Sequence, residues 1–511
     1  MLSSEFIYGS FILAIINFVV RLIGFSYKII LSKLIGPKGI GLFQMVFPIL
    51  MVFVTITTAG IPIAVSKLIA KEKSLNNYYR IKKVFKISVT LTITIAIFLA
   101  GIVIIFSNFI SNNIFKTNEI YNSVILLAPA IILISISSVI RGYFYGLKKV
   151  TISGIAQVIE QIARIVFVIG IIYYFYPITP SKGAFIAVCG ISVGEAFGLI
   201  WLIFNYKIQR YKNTFKNAKN ITSLKILYKI SYIALPITIS RIINVLLQFA
   251  NAVLIPQRLM IAGYSHPEAV STFGRVVGMS LPIIFLPFIV TSALVINIIP
   301  NLSEQVALKN FSKIKNNISL CIWITLLVSI PLTFLFIFFG KSIAMFFYKD
   351  RLVGKYIEIL GYSTIFISTY HTLSGILHGL GKQIIATINY LIGMSFQLLA
   401  TYFLVANPSF AINGFFIGFI VSTAIICILN FISLNKVVKV KINVTNSVLK
   451  PAISSILMVL AIFITSNFLS IKEINTYFSF VICMSIGSLV YVLTLFATKG
   501  ISISLIKKIW K

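Results

Sequence analysis

Blocks of roughly 20 apolar residues, each closed by a short polar or basic break, recur along almost the whole chain, and this repeated length constrains the fold more than any motif. A helix rises about 1.5 Å per residue, so each block matches a bilayer core about 30 Å thick. Of 511 residues, 59% are hydrophobic and 11% charged, whereas soluble domains run at about 45–50% and about 25%. A soluble fold is excluded. Helices satisfy their own backbone in lipid, and the blocks predict an all-α polytopic membrane protein.

Reading block by block places about fourteen transmembrane helices. They fall near 6–31, 40–69, 84–107, 120–143, 150–174 and 183–205, then 228–254, 274–302, 317–340, 357–379, 382–405, 411–434, 449–469 and 476–497. The first run lacks a charged start and a small-residue cleavage site, so it is read as a retained helix. Lys and Arg number 44 against 10 Asp and Glu, a net charge of +34. Such charge in a soluble chain suggests nucleic acid, but no segment between the blocks is long enough for a basic domain, so no nucleic-acid partner is expected. The cations gather instead in alternate loops: along 67–86, at Arg141, Lys148 and Lys149, along 206–229 and 309–315, at Lys382, along 436–450 and in the tail. The positive-inside rule assigns these loops to the cytoplasm, facing anionic membrane lipids. An even number of spans then puts both termini in the cytoplasm, under a bacterial cell membrane. The four cysteines lie far apart within apolar blocks and predict neither disulfides nor a zinc site.

The chain also repeats itself. The run from Arg21 to Pro37 lies over that from Arg241 to Pro256, and Ile61-Pro62 recurs as Ile299-Pro300. Gly142-x-x-x-Gly146-Leu147 recurs as Gly375-x-x-x-Gly379-Leu380, and all these matches keep one order at an offset of roughly 220 to 240 positions. Two pseudo-symmetric six-helix halves follow, parallel repeats because six is even. The expected divisions are 1–220, a first bundle with its basic linker; 221–445, a second bundle; and 446–511, two additional helices and a basic tail.

Charges within the spans carry the functional signal, because one at the bilayer centre costs about 2.5–3.5 kcal/mol on insertion scales. Asn17, Arg21, Gly24 and Lys28 share one face of the first helix, and Arg241, Asn244, Gln248 and Asn251 one face of the seventh. Two related helices thus carry cationic stripes, expected to face a common hydrated cavity. The alternative for any single arginine is snorkelling or bonding to helix-end carbonyls. A guanidinium fork matches phosphate oxygens, so the stripes point to an anion receptor.

Gln157, Glu160, Gln161 and Arg164 line the fifth helix, and Glu195 lies in the sixth. Glu160 and Arg164, at i and i+4, read as a closed ion pair or, with Glu195, as a cation or proton site for coupling or gating. Gly393 and Gln397 take the equivalent places in the second half. Arg275 opens the eighth span. Pro48 and Pro62 in the second span, with Pro282, Pro287 and Pro300 in the eighth, predict either kinks used in alternating access or the ordinary proline content of membrane helices. His371 and His378 share a face without a carboxylate neighbour, so core or hydrogen-bonding roles are expected and no metal. No cofactor fingerprint or nucleophile cluster occurs, which argues against an enzyme.

The stretch Arg21-Leu-Ile-Gly-Phe25, Gly36-Pro37-Lys38-Gly-Ile-Gly-Leu-Phe-Gln-Met45 and Thr57-Thr-Ala-Gly-Ile-Pro-Ile-Ala-Val-Ser-Lys67 carries a resemblance. The chain resembles the stage V sporulation protein B-like members of the multidrug/oligosaccharidyl-lipid/polysaccharide (MOP) flippase superfamily, of the polysaccharide biosynthesis type and related to lipid II flippases. The likeness extends over nearly the whole chain. It implies two bundles forming a V around a central cavity. It also implies transport of an undecaprenyl-diphosphate-linked peptidoglycan precursor, lipid II-like, from inner to outer leaflet by alternating access, for spore cortex or cell wall synthesis.

Related lipid II flippases use cavity arginines in their first and eighth helices, and Arg21 and Arg275 match those positions. Tyr27, followed by Lys28, takes the place of a second first-helix arginine, and an acidic residue expected within 39–43 is absent. The expected substrate contacts are therefore Arg21, Lys28, Arg164, Arg241, Asn244, Gln248 and Arg275. Glu160 and Glu195 are the expected coupling or gating residues, with Na⁺, H⁺ or the membrane potential as the driving partner, and the chain is expected to act as a monomer. The alternatives are a cation-coupled multidrug exporter of the same fold, an exporter of another lipid-linked polysaccharide unit, and a non-transporting scaffold for wall enzymes.

Overall fold

The computed structural model describes residues 4–208, 222–440, 443–471 and 475–501, the side chains of 4–14, 17 and 476 excepted. Most of the basic linker predicted at 206–227, nearly all of the basic tail and the side chain of Asn17 thus lie outside the described residues. The principal helices in chain order are α1 Ser4–Thr58, α2 Ile61–Ser74, α3 Tyr78–Ile105, α4 Leu127–Gly146, α5 Val150–Tyr174, α6 Pro180–Ile208 and α7 Ser223–Ile261. They continue as α8 His266–Phe273, α9 Phe288–Ala307, α10 Phe311–Phe347, α11 Arg351–Gly361, α12 Thr364–Gly379, α13 Gln383–Leu404, α14 Ile412–Val437, α15 Lys450–Ile471 and α16 Thr476–Ala497. No strand occurs among the described residues.

Among the described residues, twelve helical stretches are long and apolar enough to cross a bilayer. One of them, Phe18–Ser74, contains two predicted spans, because α1 turns at Gly36 (φ 70°, ψ 177°), a conformation open to glycine, and Pro37 follows. The predicted tenth span is α11 and α12, broken at Tyr362 and Ser363, so neither piece is long enough by itself. These two divisions reconcile the twelve stretches with the predicted set. Many large apolar side chains point outward, among them Phe98, Ile105 and Ile464. Lipid is the solvent in which that surface is stable.

The duplication is written in the backbone. Asn76 and Lys309, Lys116 and Lys349, and Lys148 and Gly381 have positive φ, each pair 233 positions apart. Asn77 and Asn310, in the same register, cap α3 and α10 by accepting the N–H of Arg80 and Lys313. Thr117 and Asp350, again in register, each accept the N–H two residues on. The offset of 220 that aligns Arg21 with Arg241 becomes 233 once the second half has made the turn at Gly263 (φ 98°) and entered α8. Gly41 and Gly274 obey the larger offset and meet: a Cβ on Gly41 would run into the Val270 carbonyl, and one on Gly274 into the Pro37 carbonyl.

By contacts the chain divides into two compact units, residues 1–260 with 264–274, and 261–263 with 275–511. In the first, Ile61, Val65, Phe85, Phe144 and Leu202 form a core that also takes in Ile226, Ile230 and Ala234 from the start of α7. The second is built on Ile298, Ile318, Leu373, Ile376 and Leu434. There α15 and α16 pack on each other through Gly487 and Ile462, and the Tyr491 hydroxyl of α16 donates to the Leu327 carbonyl of α10 at 2.6 Å.

The entry of α7 depends on Gly60, where an added Cβ would run into the Ala234 carbonyl, whereas nothing lies within 4 Å of one on Gly101. Replacing Gly60 by Ala is expected to lower thermal stability in detergent by the equivalent of about 1–3 kcal/mol. The same change at Gly101 should leave stability unchanged or raise it by up to about 1 kcal/mol. Equal responses would contradict the close approach of α7 to Gly60.

Candidate functional site

Three helices of the first unit meet around four charged side chains. Glu160 on α5 and Glu195 on α6 are buried, 7% and 5% exposed. Arg164, one turn beyond Glu160, donates from Nη2 to its Oε1 at 2.7 Å. Arg141 on α4 donates from Nη2 to Oε2 of Glu160 at 3.0 Å and to Oε2 of Glu195 at 3.3 Å. Two guanidinium groups thus meet two carboxylates, and the formal charge of the cluster is zero. Small residues let the helices approach: a Cβ on Gly194 would lie 2.7 Å from the Glu160 carbonyl oxygen, and one on Gly142 2.6 Å from that of Pro62.

The predicted Glu160–Arg164 pair is present, and Glu195 joins it through Arg141. Sequence reading misses Arg141 because it stands near Lys148 and Lys149 at the basic end of its block, where it reads as one of the loop charges. The structure places it in the last turns of α4 and turns it inward. The available signal was its position next to Gly142, in a Gly-x-x-x-Gly segment that lets another helix come close.

The second unit solves the same packing problem without charge. In the 233 register Ser374 replaces Arg141, Gly393 replaces Glu160 and Gln397 replaces Arg164. There the Asn389 amide donates to Asn430 Oδ1 at 2.9 Å and to Ser433 at 3.1 Å, and the Asn430 amide donates to Ser374 Oγ at 2.9 Å. This neutral network joins α12, α13 and α14, the counterparts of α4, α5 and α6. The ionic cluster therefore belongs to the first unit.

The other candidates are dispersed. Arg21, Lys28, Arg241 and Gln248 are exposed on α1 and α7. Asn244 is half-buried, and its amide donates to the Ser240 carbonyl at 3.1 Å. Arg275 lies in the turn of π-helix Gly274–Ser280, where its Nε donates to Asp350 Oδ2 at 2.7 Å. Asp350 in turn caps α11 by accepting the N–H of Leu352 at 2.9 Å. A related bridge stands in the first unit, where Lys38 meets Glu119 at 2.7 Å, two residues after the cap Thr117. Arg275 and Lys38 thus share a pattern, each tying a helix start to the loop after the third span of its repeat. His371 is held by Thr291 at 3.0 Å and stacks on Phe288 at 4.5 Å. Among the described residues no group of three or more His, Cys, Asp or Glu side chains is close enough to hold a metal.

Removing one member of a buried, balanced cluster leaves an uncompensated charge. Arg141→Ala, which strands two carboxylates on one guanidinium, is expected to destabilise the protein in detergent by about 3–5 kcal/mol. Lys82→Ala, on an exposed stretch of α3, should stay within about 0.5 kcal/mol of the parent. Adding Glu195→Gln to Arg141→Ala restores charge balance and should recover part of the loss. Thermal unfolding of the four proteins checks this, and a small Arg141 effect would contradict the cluster.

The sequence matches the family described as polysaccharide biosynthesis protein over residues 6–295, more than half of the chain, and the MatE family over residues 236–403. Stage V sporulation protein B of Bacillus subtilis (strain 168) is 25% identical over 459 residues, covering 89% of this chain and 88% of that protein. The lipid II flippase MurJ of the same organism is 23% identical over 429 residues, covering 78% and 77%. Among solved structures, lipid II flippase MurJ in an inward closed conformation has the same fold, with a TM-score of 0.67 at 16% identity over 95% of this chain and 98% of that one. An inward-facing multidrug resistance MATE family transporter of the MOP superfamily gives 0.62 at 15% identity over 83% and 98%. The chain belongs to the polysaccharide biosynthesis protein family and is a multi-pass membrane transporter of the MOP superfamily.

Proposed function

We propose that this transporter is a flippase for a polyprenyl-diphosphate-linked wall precursor of the lipid II kind, carried from the inner to the outer leaflet of the bacterial cell membrane by alternating access. The observation that supports this reading is the exposure of Arg21, Lys28 and Arg241 on apolar helices. Facing acyl chains, each would cost about 2.5–3.5 kcal/mol on insertion scales. Facing water and a diphosphate, each gains charge-assisted hydrogen bonds of about 1.5–3 kcal/mol. Gln248 and Asn244 on α7 add neutral hydrogen-bonding groups beside Arg241 for the sugar or the phosphate.

The polyprenyl tail is apolar and stays in lipid, so only the headgroup needs a polar path. Under an inside-negative potential, outward movement of each net negative charge gains about 2.3 kcal/mol per 100 mV. A carrier left with net positive charge is drawn back inward by the same field. The cluster of Arg141, Glu160, Arg164 and Glu195 has no carboxylate to spare, so we assign it to holding α4, α5 and α6 together. A coupling Na⁺ at Glu160 would have to compete with Arg141 and Arg164, which bond its two oxygens.

Translocation of lipid II in proteoliposomes tests the assignment. Arg21→Ala and Arg241→Ala are each expected to slow it at least about tenfold, the loss of one charge-assisted contact. Arg275→Ala should also lower stability, and Asp350→Asn should reproduce that part, because the two form an ion pair. Unimpaired transport in all three arginine variants would overturn the proposed site.

A further inference from the structure

A cavity of about 290 Å³ opens in the first unit between the last turns of α2, the first turns of α3 and the start of α7. Its floor is apolar, formed by Leu68, Val84, Ile226 and Ile233, and four cations, Lys67, Lys71, Arg80 and Lys229, surround it. Glu72 is the single carboxylate, 3.6 Å from Arg80. Basic residues at a helix end often need no ligand, because they complement the helix dipole or bond a carbonyl. Lys73 does so, donating to the Leu147 carbonyl at 2.8 Å. The ammonium groups of Lys67, Lys71 and Lys229 have no hydrogen bond or ion pair among the described residues. Three such ammonium groups around one small cavity repel one another, and the repulsion grows as the cavity walls exclude water.

We infer that this cavity holds the phosphate headgroup of an anionic membrane phospholipid. The chemistry fits at both ends, with ammonium groups for the phosphate and an apolar floor for the glycerol and the first methylenes of the chains. Its volume lies at the lower limit of ligand pockets, about 300 Å³, which suits a headgroup and excludes a whole lipid. Its level in the bilayer is marked by Tyr228 and Tyr232, which stand 70% and 73% exposed with their rings stacked 6.2 Å apart. Exposed tyrosines beside lysines at the end of an apolar helix are the pattern of a headgroup zone. The surrounding loops are the basic set that the positive-inside rule places against the anionic leaflet. A soluble anion would use the lysines but leave the apolar floor and the exposed tyrosine pair unexplained. Bound there, one headgroup joins α2, α3 and α7 by charge, at the place where α7 is received by the first unit.

The test uses the purified full chain, delipidated and offered phosphatidylglycerol or phosphatidylcholine with identical acyl chains, with retained lipid counted by native mass spectrometry. One phosphatidylglycerol is expected to remain on each chain, retained at least fivefold more than phosphatidylcholine. Lys71→Gln with Lys229→Gln should reduce that retention at least fivefold, and Lys71→Arg with Lys229→Arg should keep it. Lys82→Gln with Lys86→Gln, exposed on α3 away from the cavity, should keep it as well. Equal loss in both Gln pairs would overturn the site in favour of diffuse charge attraction. Stabilisation by inorganic pyrophosphate through Lys71 and Lys229, without lipid retention, would overturn the lipid assignment.

Discussion

A charge inside an apolar, membrane-spanning chain has to be compensated where it stands, because lipid supplies neither water nor counter-ions. The first unit meets that constraint with two arginines and two glutamates on α4, α5 and α6, set within hydrogen-bonding distance of one another. No member can be removed without exposing another, so the cluster fixes three helices at once. Cations on exposed faces of apolar helices, such as Arg21 and Arg241, need a hydrated surface or an anionic partner. In the proposed function, that division between buried, balanced charges and exposed cations separates scaffold from cargo site.

The duplication makes the same point by contrast. Backbone landmarks persist at a spacing of 233 positions, in the turns at Asn76 and Lys309, at Lys116 and Lys349, and at Lys148 and Gly381. The side chains that hold the equivalent helices have diverged from an ionic cluster to an amide network of Ser374, Asn389, Asn430 and Ser433. A buried amide network holds helices without leaving an ionised group at risk when one partner moves. The ionic cluster therefore belongs to the first repeat, although both repeats share one helical plan.

Much of the fold was legible because its signals are local. Apolar length announces each span, and the recurrence of Gly142-x-x-x-Gly146 as Gly375-x-x-x-Gly379 announces the repeat. Glu160 and Arg164 were legible as a pair because helical spacing brings i and i+4 together. The contact of Arg141 with Glu195 was not, since 54 positions separate them and no periodicity links residues on different helices. Arg275 and Asp350, 75 positions apart, were hidden for the same reason. The break in the tenth span at Tyr362 and Ser363 was also missed, because the run from Gly361 to Thr364 carries no charge or proline to mark it. Length and polarity thus report where helices lie, while the pairing of charges between helices depends on packing angles that the sequence does not state.

The account rests on recognition of a diphosphate by cations presented on membrane helices. The most direct measurement compares the rates at which the reconstituted protein moves lipid II and a neutral lipid of the same chain length and sugar, joined by an ether in place of the diphosphate. The account predicts rapid translocation of the diphosphate lipid, faster under an inside-negative potential, and no translocation of the neutral one above protein-free vesicles. Equal rates for the two lipids would contradict it.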